Sequence, residues 1–370
     1  MKLIFTTEER IAERKSTLTE REVAELRLNA EEKTALPNFS VTYNKSPAVS
    51  GNIHDYFSEG TYWWPDPKNP DGPFIRRDGE VYPGSFQHHL NDMSKMCEAT
   101  VVLAEAGIFL GERKYLERAA EMLRVWFVDE ETKMNPHLEY AQAIRGICDG
   151  RGIGIIDTQR LIRAVHAANL LELAGGFEST VSGLKIWFDE YVNWLATSKN
   201  GIDERDYFNN HANWYNTQIA AFAAFVGKDP TPYFEHFLKV ILPNQTGEDG
   251  SFTDELTRTK SFMYSAFNLE ACTLLATLAE GYGVDLWSAV TENGRSIRRS
   301  VYFFATYYDN PFLWKHKQIH VDAGTFDEKL SMRLAARAYS DEKLEAVNKR
   351  KRKGRIPMRN MSHIGLVDLK

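Results

Sequence analysis

The sequence has few cysteines and no long apolar run. Its three cysteines are Cys97, Cys148 and Cys272. Because none has the Cys-x-x-Cys spacing, we interpret them as reduced core thiols rather than a disulfide or zinc framework. The histidine spacings lack the His-Glu-x-x-His pattern and other metal-ligand patterns, so we expect no metal and no cofactor. No segment approaches 18 consecutive apolar residues, and we therefore expect no membrane-spanning segment.

The chain also lacks an excess of positive charge. With 45 Lys and Arg against 51 Asp and Glu, its formal net charge is −6. The field of the whole chain does not attract a polyanion, so nucleic-acid binding is not expected and any acidic ligand needs a local basic site. The basic run at 349–355 is the exception, and we interpret it as part of an exposed basic C-terminal tail at 340–370.

The first ten residues lack the apolar run of a signal peptide. We therefore expect either a cytoplasmic protein, or a periplasmic or secreted protein whose signal peptide was removed before Met1. The sequence favours neither of these, and it is compatible with a monomer or a small homo-oligomer.

What the chain does contain is helical periodicity, with few runs that alternate with a period of two. The charged segment 7–36 is predicted to be one helix or a helix pair. Further helices are predicted at 86–108, 115–127, 158–173, 179–197, 213–226, 231–242, 262–281, 286–293, 296–308 and 328–338. Gly, Pro, Asn and Asp fill the connections between them. This pattern predicts an all-α fold made of antiparallel helix hairpins in a closed or open ring.

No linker rich in Pro, Gly or Ser interrupts the middle of the chain, so we predict a single domain over residues 1–370. Residues 1–50 are expected to form an N-terminal helical extension. Residues 51–86 are irregular and rich in aromatic, Pro and Gly residues. Irregular segments of this length inside a domain are usually functional, which predicts a lid or a wall of a substrate subsite. Tyr62, Trp63 and Trp64 either anchor this loop to the core or stack on a sugar ring.

The segment 207–215 combines three amides, one imidazole and four aromatic rings in nine residues. Amides and an imidazole bind a carboxylate, and aromatic rings stack on sugar faces. This composition suits an acidic carbohydrate. Within the segment, Asn213 is expected to start a helix or support the site, and Trp214 and Tyr215 to form core or groove wall.

Five elements in a fixed order carry a family resemblance. They are Tyr-Trp-Trp-Pro-Asp-Pro at 62–67, Met-Asn-Pro-His at 134–137, Gly-Arg-Gly-Ile-Gly at 150–154, Asn-Asn-His-x-x-Trp-Tyr at 209–215, and an Arg with a nearby Tyr. Together they resemble the alginate lyases, polysaccharide lyases of family five and relatives such as family 38, over roughly residues 50–310. The resemblance implies an incomplete (α/α) toroid and β-elimination in an acidic uronate polymer. Mannuronate-rich alginate is the expected substrate, with guluronate and glucuronan as possible others.

The resemblance also implies a catalytic set of Asn, His, Arg and Tyr, which falls on Asn210, His211, Arg258 and Tyr264. Tyr207 and Tyr215 are alternatives for the tyrosine. In such a reaction Asn210, His211 and Arg258 would neutralise the substrate carboxylate, while Tyr264 exchanges protons. A tyrosine has an ordinary pKa of about 10; the positive charge of Arg258 would favour the phenolate. We place Arg258 on a loop or first turn and Tyr264 inside the following helix.

Substrate contacts are expected from a further set of polar and aromatic side chains: Tyr62, Trp63, Trp64, Arg76, His89, His137, Gln142, Arg151 and Trp214. Two other functions fit the sequence. A glycoside hydrolase on a helical toroid would need two carboxylates beside the scissile bond, and the candidates are Asp203, Glu204, Asp254 and Glu255. A non-catalytic carbohydrate-binding protein would keep the groove without the chemistry.

Overall fold

The computed structural model describes residues 3–321, 325 and 330–345. Most of the predicted basic tail at 340–370 therefore lies outside the described residues. Within them, the chain forms two compact units. The first contains residues 18–206 and 222–228, and the second contains residues 3–17, 207–221 and the described residues from 229 onward. The expectation of a single domain stays a prediction.

The first unit contains six helices and two small two-stranded sheets. The helices are α2 (Glu20–Thr34), α3 (His88–Leu110), α4 (Arg113–Phe127), α5 (Leu161–Ala174), α6 (Glu178–Thr197) and α7 (Lys199–Arg205), and a 3₁₀ helix at Gly152–Arg160 precedes α5. The strands are β1 (Phe57–Glu59), β2 (Trp63–Trp64), β3 (Ile75–Arg76) and β4 (Tyr140–Ala143). β1 pairs in parallel with β4, and β2 pairs antiparallel with β3.

The second unit contains α1 (Glu8–Thr17) and the helices from the middle of the chain onward. These are α8 (Asn210–Phe225, whose last turn belongs to the first unit), α9 (Thr231–His236), α10 (Leu242–Gln245), α11 (Thr253–Leu256), α12 (Ser261–Glu280), α13 (Ile297–Asp309) and α14 (Leu330–Tyr339). A π-helical turn at Phe237–Ile241 joins α9 to α10. Pro243 lies just inside α10, and a proline disturbs the preceding helical turn because it has no N–H and its ring clashes with the backbone.

Two segments of the described chain show how local hydrogen bonds decide where a helix forms and where it does not. The charged segment 7–36 is a helix pair, because Thr19 starts α2 with a capping box in which its side chain and that of Glu22 bind each other's backbone N–H. The helix predicted at 286–293 is wrong. There Asp285 accepts hydrogen bonds from Ser288, and Gly294 has a φ of 78°. Such side-chain to backbone bonds and a left-handed glycine favour turns over helix.

Helix α3 forms the centre of the first unit, where it packs against α2, α4 and α5. The apolar residues that predicted this helix, among them Met93, Met96 and Cys97, are fully buried. In the second unit α12 is apolar enough, by length and composition, to cross a membrane. However, 83% of its most apolar window is buried inside the structure, a property that the core helix of a globular protein shares. All three cysteines are free thiols.

The core of the first unit contains a buried histidine, and we expect it to make the stability of the fold sensitive to acid. His166 on α5 is 2% exposed, and burial lowers its pKa from 6.5 to about 4. Its Nε2 lies 3.7 Å from a carboxylate oxygen of Glu105, but a neutral imidazole makes no ion pair with it. Because the folded pKa is depressed, the stability that depends on neutral His166 is present above pH 6.5. It is lost as the pH falls toward 4.

We therefore expect the wild type to lose roughly 3 kcal/mol more stability than His166→Leu between pH 7 and pH 4. Thermal unfolding of both proteins across this range measures the difference. Parallel pH profiles for the two proteins would contradict it.

Candidate active site

The N-terminus of α8 presents two of the predicted catalytic residues. Asn209 caps the helix, since its side-chain oxygen accepts a hydrogen bond from the backbone N–H of His211 at 3.0 Å. Asn210 and His211 therefore lie in the first turn of α8, where Asn210 is buried and His211 is half-buried. Of the two expectations for Asn213, a helix start is wrong, since Asn213 lies one turn inside α8, and a supporting role stays a prediction.

Arg258 and Tyr264 contact each other directly. Arg258 follows α11, Tyr264 lies in the first turn of α12, and the guanidinium carbon is 3.8 Å from the centre of the tyrosine ring. This agrees with the predicted positions of the two residues, on a loop and inside a helix. Tyr264 is 9% exposed. A cation this close to the ring face is attracted by its π-electrons, and its positive charge also favours a negative phenolate oxygen.

Side-chain contacts between α8 and α12 place the first turns of the two helices at the same height along their axes. The first turn of α8 carries Asn210 and His211, and that of α12 carries Tyr264. Three contacts join the helices: Asn213 to Asn268 by an amide hydrogen bond, the ring of Trp214 to that of Phe267 at 4.8 Å, and the Thr217 hydroxyl to the Ala271 carbonyl at 3.0 Å. The paired residues are 55, 53 (267 − 214) and 54 positions apart. A nearly constant separation means that the helices run parallel. One turn earlier on α8 lies Asn210, and 54 positions beyond it is Tyr264.

Glu255 on α11 is a member of this group that the sequence did not single out for this role. It is fully buried, and its Oε1 accepts hydrogen bonds from both the backbone N–H and the side-chain amide of Asn210, each at 2.7 Å. Burial raises the pKa of Glu255, while the bonds to Asn210 and the charges of Arg258 and His211 oppose that rise. Glu255 therefore lies within electrostatic reach of three predicted catalytic residues.

The two alternative tyrosines occupy different environments. Tyr207 is 42% exposed, and its ring centre is 5.8 Å from that of His211. Tyr215 is 3% exposed and lies inside α8. Of the two, only Tyr207 has the exposure and the proximity to His211 that an alternative acid or base would need.

In the first unit, three of the predicted substrate-binding residues contact one another. The guanidinium of Arg151 lies 5.6 Å from the ring centre of Trp63, and its Nε donates to the backbone oxygen of Gln142 at 3.0 Å. A second nitrogen of Arg151 donates to the side-chain oxygen of Gln142 at 3.3 Å. Arg151, Trp63 and Gln142 are all half-buried. Their contacts leave an arginine and an aromatic face partly accessible, as a subsite for an acidic sugar requires.

Asp157 organises this group, and sequence reasoning missed it. Its buried carboxylate accepts hydrogen bonds from the side chains of Tyr56 at 3.1 Å, Ser58 at 2.6 Å and Gln142 at 3.1 Å. Gln142 has a φ of 49°, in the left-handed region that a residue with a side chain rarely adopts. The bond from its backbone N–H to the Ser58 hydroxyl at 2.9 Å helps to hold that conformation.

The remaining candidates of the first unit differ in exposure and in contacts. Trp64 donates to the backbone oxygen of Glu80 at 2.9 Å and lies under the guanidinium of Arg77, which favours its role as a loop anchor. Arg76 is exposed and pairs with Asp78 at 3.0 Å. Tyr62 is half-buried. His137 is half-buried, with its Nε2 3.1 Å from a carboxylate oxygen of Asp55. Substrate contacts by these residues stay predictions.

For two candidates the structure requires a correction. His89 is 1% exposed, its Nδ1 accepts from the Phe57 backbone N–H at 3.0 Å, and its Nε2 pairs with the Asn44 backbone oxygen at 2.8 Å. Both ring nitrogens are thus used by the backbone. Trp214 is 1% exposed and packs against Phe267 between α8 and α12. Both are core residues, because the backbone uses both ring nitrogens of His89 and the ring of Trp214 packs between two helices.

Among the residues that the structure describes, no group of three or more His, Cys, Asp or Glu side chains is arranged to hold a metal ion. The first turn of α8 and the segment 255–258 supply an amide, an imidazole, a guanidinium and a buried carboxyl group. Such a set can bind a carboxylate and move a proton.

The alginate lyase family model matches residues 40–314. An alginate lyase from Bacteroides ovatus of known structure is 32% identical, with a TM-score of 0.92 over 99% of both chains. The chain belongs to the alginate lyase family. It is a polysaccharide lyase, and its fold class is the all-α, incomplete (α/α) toroid that the resemblance implied. A search of curated protein sequences finds no significant match.

Two structures of a more distant alginate lyase share the fold. Alginate lyase A1-III from Sphingomonas species A1 is 18% identical, with a TM-score of 0.59 over 97% of this chain and 94% of that one. A histidine-to-alanine variant of A1-III, complexed with a tetrasaccharide, is 17% identical, with a TM-score of 0.62 over 97% and 94% of the two chains. Membership of the family implies a polyuronate substrate for this chain.

Proposed function

We propose that this protein cleaves mannuronate-rich alginate by β-elimination, with Asn210, His211, Arg258 and Tyr264 as its catalytic residues. The observation that carries this proposal is the contact of the Arg258 guanidinium with the Tyr264 ring at 3.8 Å. Asn210 and His211 start the parallel helix at the level of that tyrosine. The complex of alginate lyase A1-III with a tetrasaccharide supports a substrate that is a chain of sugars.

The reaction breaks the C5–H and C4–O bonds of a uronate and forms a C4–C5 double bond. Removing the C5 proton beside a charged carboxylate would place a second negative charge on the same group. Asn210, His211 and Arg258 donate hydrogen bonds and positive charge to that carboxylate, which stabilises the enolate-like transition state. One preorganised donor of this kind is worth roughly 3–4 kcal/mol.

Tyr264 takes the C5 proton as phenolate and returns a proton to the leaving oxygen at C4. In mannuronate both groups are on the same face of the ring, so one residue serves both steps. Guluronate is the C5 epimer, and its C5 proton is on the opposite face. There we propose that His211 is the base and Tyr264 remains the acid, which would let one site cleave both polymers.

The test is incubation of the purified full chain with alginate, polymannuronate, polyguluronate and glucuronan. Elimination produces a conjugated, unsaturated uronate that absorbs ultraviolet light, and we expect the fastest increase in absorbance on polymannuronate. Fastest cleavage of glucuronan would overturn the substrate assignment. New reducing ends without that absorbance would indicate hydrolysis instead.

Two of the four carboxylates named for a hydrolase, Asp254 and Glu255, give that function little support. Asp254 is exposed and the adjacent Glu255 is fully buried against Asn210. Neighbouring residues in such different environments do not form a pair that flanks a sugar bond.

A further inference from the structure

The interaction of Glu255 with Asn210 is unusual because one carboxylate oxygen binds two donors of the same residue. Oε1 of Glu255 accepts from the backbone N–H and from Nδ2 of Asn210, each at 2.7 Å. The first bond satisfies one of the free N–H groups at the start of α8. The second bond fixes the side chain of Asn210 relative to that helix end. Together they leave Asn210 no freedom to rotate about its side-chain bonds without losing a hydrogen bond.

These bonds also decide which way the Asn210 amide points. A carboxylate oxygen only accepts hydrogen bonds, so the NH₂ group of Asn210 must face Glu255. The amide NH₂ has two hydrogens, and Glu255 binds one of them. The second hydrogen remains for another acceptor, such as a substrate carboxylate. Rotation of the amide by 180° would place its oxygen against Glu255, which both groups would oppose.

The arrangement carries an electrostatic cost. Glu255 is fully buried, and its second oxygen, Oε2, has no hydrogen-bond partner among the described residues. A buried polar atom without a partner is unfavourable, because it loses its hydrogen bonds to water and gains none in the protein. In addition, a carboxylate beside Arg258 and His211 opposes the binding of an anionic substrate there. A leucine of similar size would avoid both costs, but it would leave the two donors of Asn210 without their acceptor.

We propose that Glu255 is a positioning residue for the elimination, which acts by holding the amide of Asn210 in the orientation that donates to the substrate carboxylate. The proposal rests on the proposed role of Asn210. Glu255 itself exchanges no proton with the substrate. Its acceptor atom is what matters, and its charge is secondary.

Glu255→Gln and Glu255→Leu separate these properties. Glutamine keeps an oxygen that can accept from both donors of Asn210, whereas leucine removes it at similar volume. We expect Glu255→Gln to retain kcat within about tenfold and Glu255→Leu to lose about 10²-fold, because misplacement of a catalytic group by about 1 Å has that effect. KM should change little in both. Asp254→Asn, at the exposed neighbour, is the matched control and should behave as the wild type.

A double-mutant cycle with Asn210→Ala shows whether the effect passes through Asn210. If it does, Glu255→Leu should slow the wild type about 10²-fold but leave the rate of the Asn210→Ala protein almost unchanged. Equal losses in both backgrounds would overturn the positioning role. Equal inactivation by Gln and Leu would also overturn it, since that result would indicate an acid or base.

Two further results keep the proposals distinguishable. Wild-type activity in Asn210→Ala would overturn the assigned role of Asn210 itself, whereas an inactive Asn210→Ala with independent Glu255 effects overturns only the positioning role. Thermal unfolding shows whether Glu255→Leu folds. If it does not, Glu255→Asp replaces it, because aspartate keeps the charge and withdraws the acceptor by one methylene. A loss of kcat in Glu255→Asp at unchanged KM supports positioning, and wild-type kcat contradicts it.

Discussion

Replacement of Tyr264 by phenylalanine is expected to lower kcat on polymannuronate by at least about 10³-fold, because one hydroxyl serves as both base and acid and each role contributes about 10²–10⁴. The phenylalanine ring keeps the contact with Arg258, whose guanidinium lies 3.8 Å from the ring centre. The fold should therefore persist. Initial rates of ultraviolet absorbance measure the loss, and thermal unfolding checks the fold.

Tyr207→Phe is the matched control for this experiment. It removes the same hydroxyl from a tyrosine that is 42% exposed and in ring contact with His211. We expect it to retain nearly full activity. The reverse result, an active Tyr264→Phe and an inactive Tyr207→Phe, would transfer the acid and base roles to Tyr207.

His211→Ala is expected to have a large effect that depends on the polymer. On polymannuronate the variant loses one donor to the substrate carboxylate, which should reduce kcat by about 10²–10³. On polyguluronate the variant also loses the proposed base, which should reduce kcat by a further factor of at least about 10². The ratio of the rate on polymannuronate to the rate on polyguluronate should therefore increase by that second factor.

His211→Asn separates the two roles. Asparagine retains a hydrogen-bond donor near the same position but cannot accept the C5 proton at neutral pH. We expect it to recover part of the mannuronate activity and none of the guluronate activity. If kcat of both His211 variants falls by the same factor on polymannuronate and on polyguluronate, His211 is not the base for either polymer.

The helices were predictable from the sequence because each buries one face. The periodicity at 86–108 depends on residues such as Met93 and Met96, which are fully buried in α3. Errors arose where local hydrogen bonds compete with the helix. Asn209 starts α8 one turn before the predicted first residue, and Asp285 turns the chain at the start of the predicted helix 286–293.

The site was less predictable than the helices. Arg258 and Tyr264 are close in sequence, and their contact agrees with the positions that the sequence predicted for them. Glu255 is different, because the sequence offered it only as a candidate carboxylate for the alternative hydrolase. Its partner Asn210 is 45 positions away. The predictions of His89 and Trp214 as substrate-binding residues were wrong because the residue types that bind sugars also occur in protein cores.

The sequence by itself determined the residue types of the chemistry, the helical periodicity and the order of the motifs that identify the family. These properties are local, since they depend on neighbours within a turn or two of helix. Only the tertiary structure decided which side chains are buried and that Glu255 binds Asn210. It also decided that α8 and α12 run parallel, with contacting residues 53 to 55 positions apart in the sequence. Those facts depend on packing between distant segments, and no pattern within one segment encodes where its partner lies.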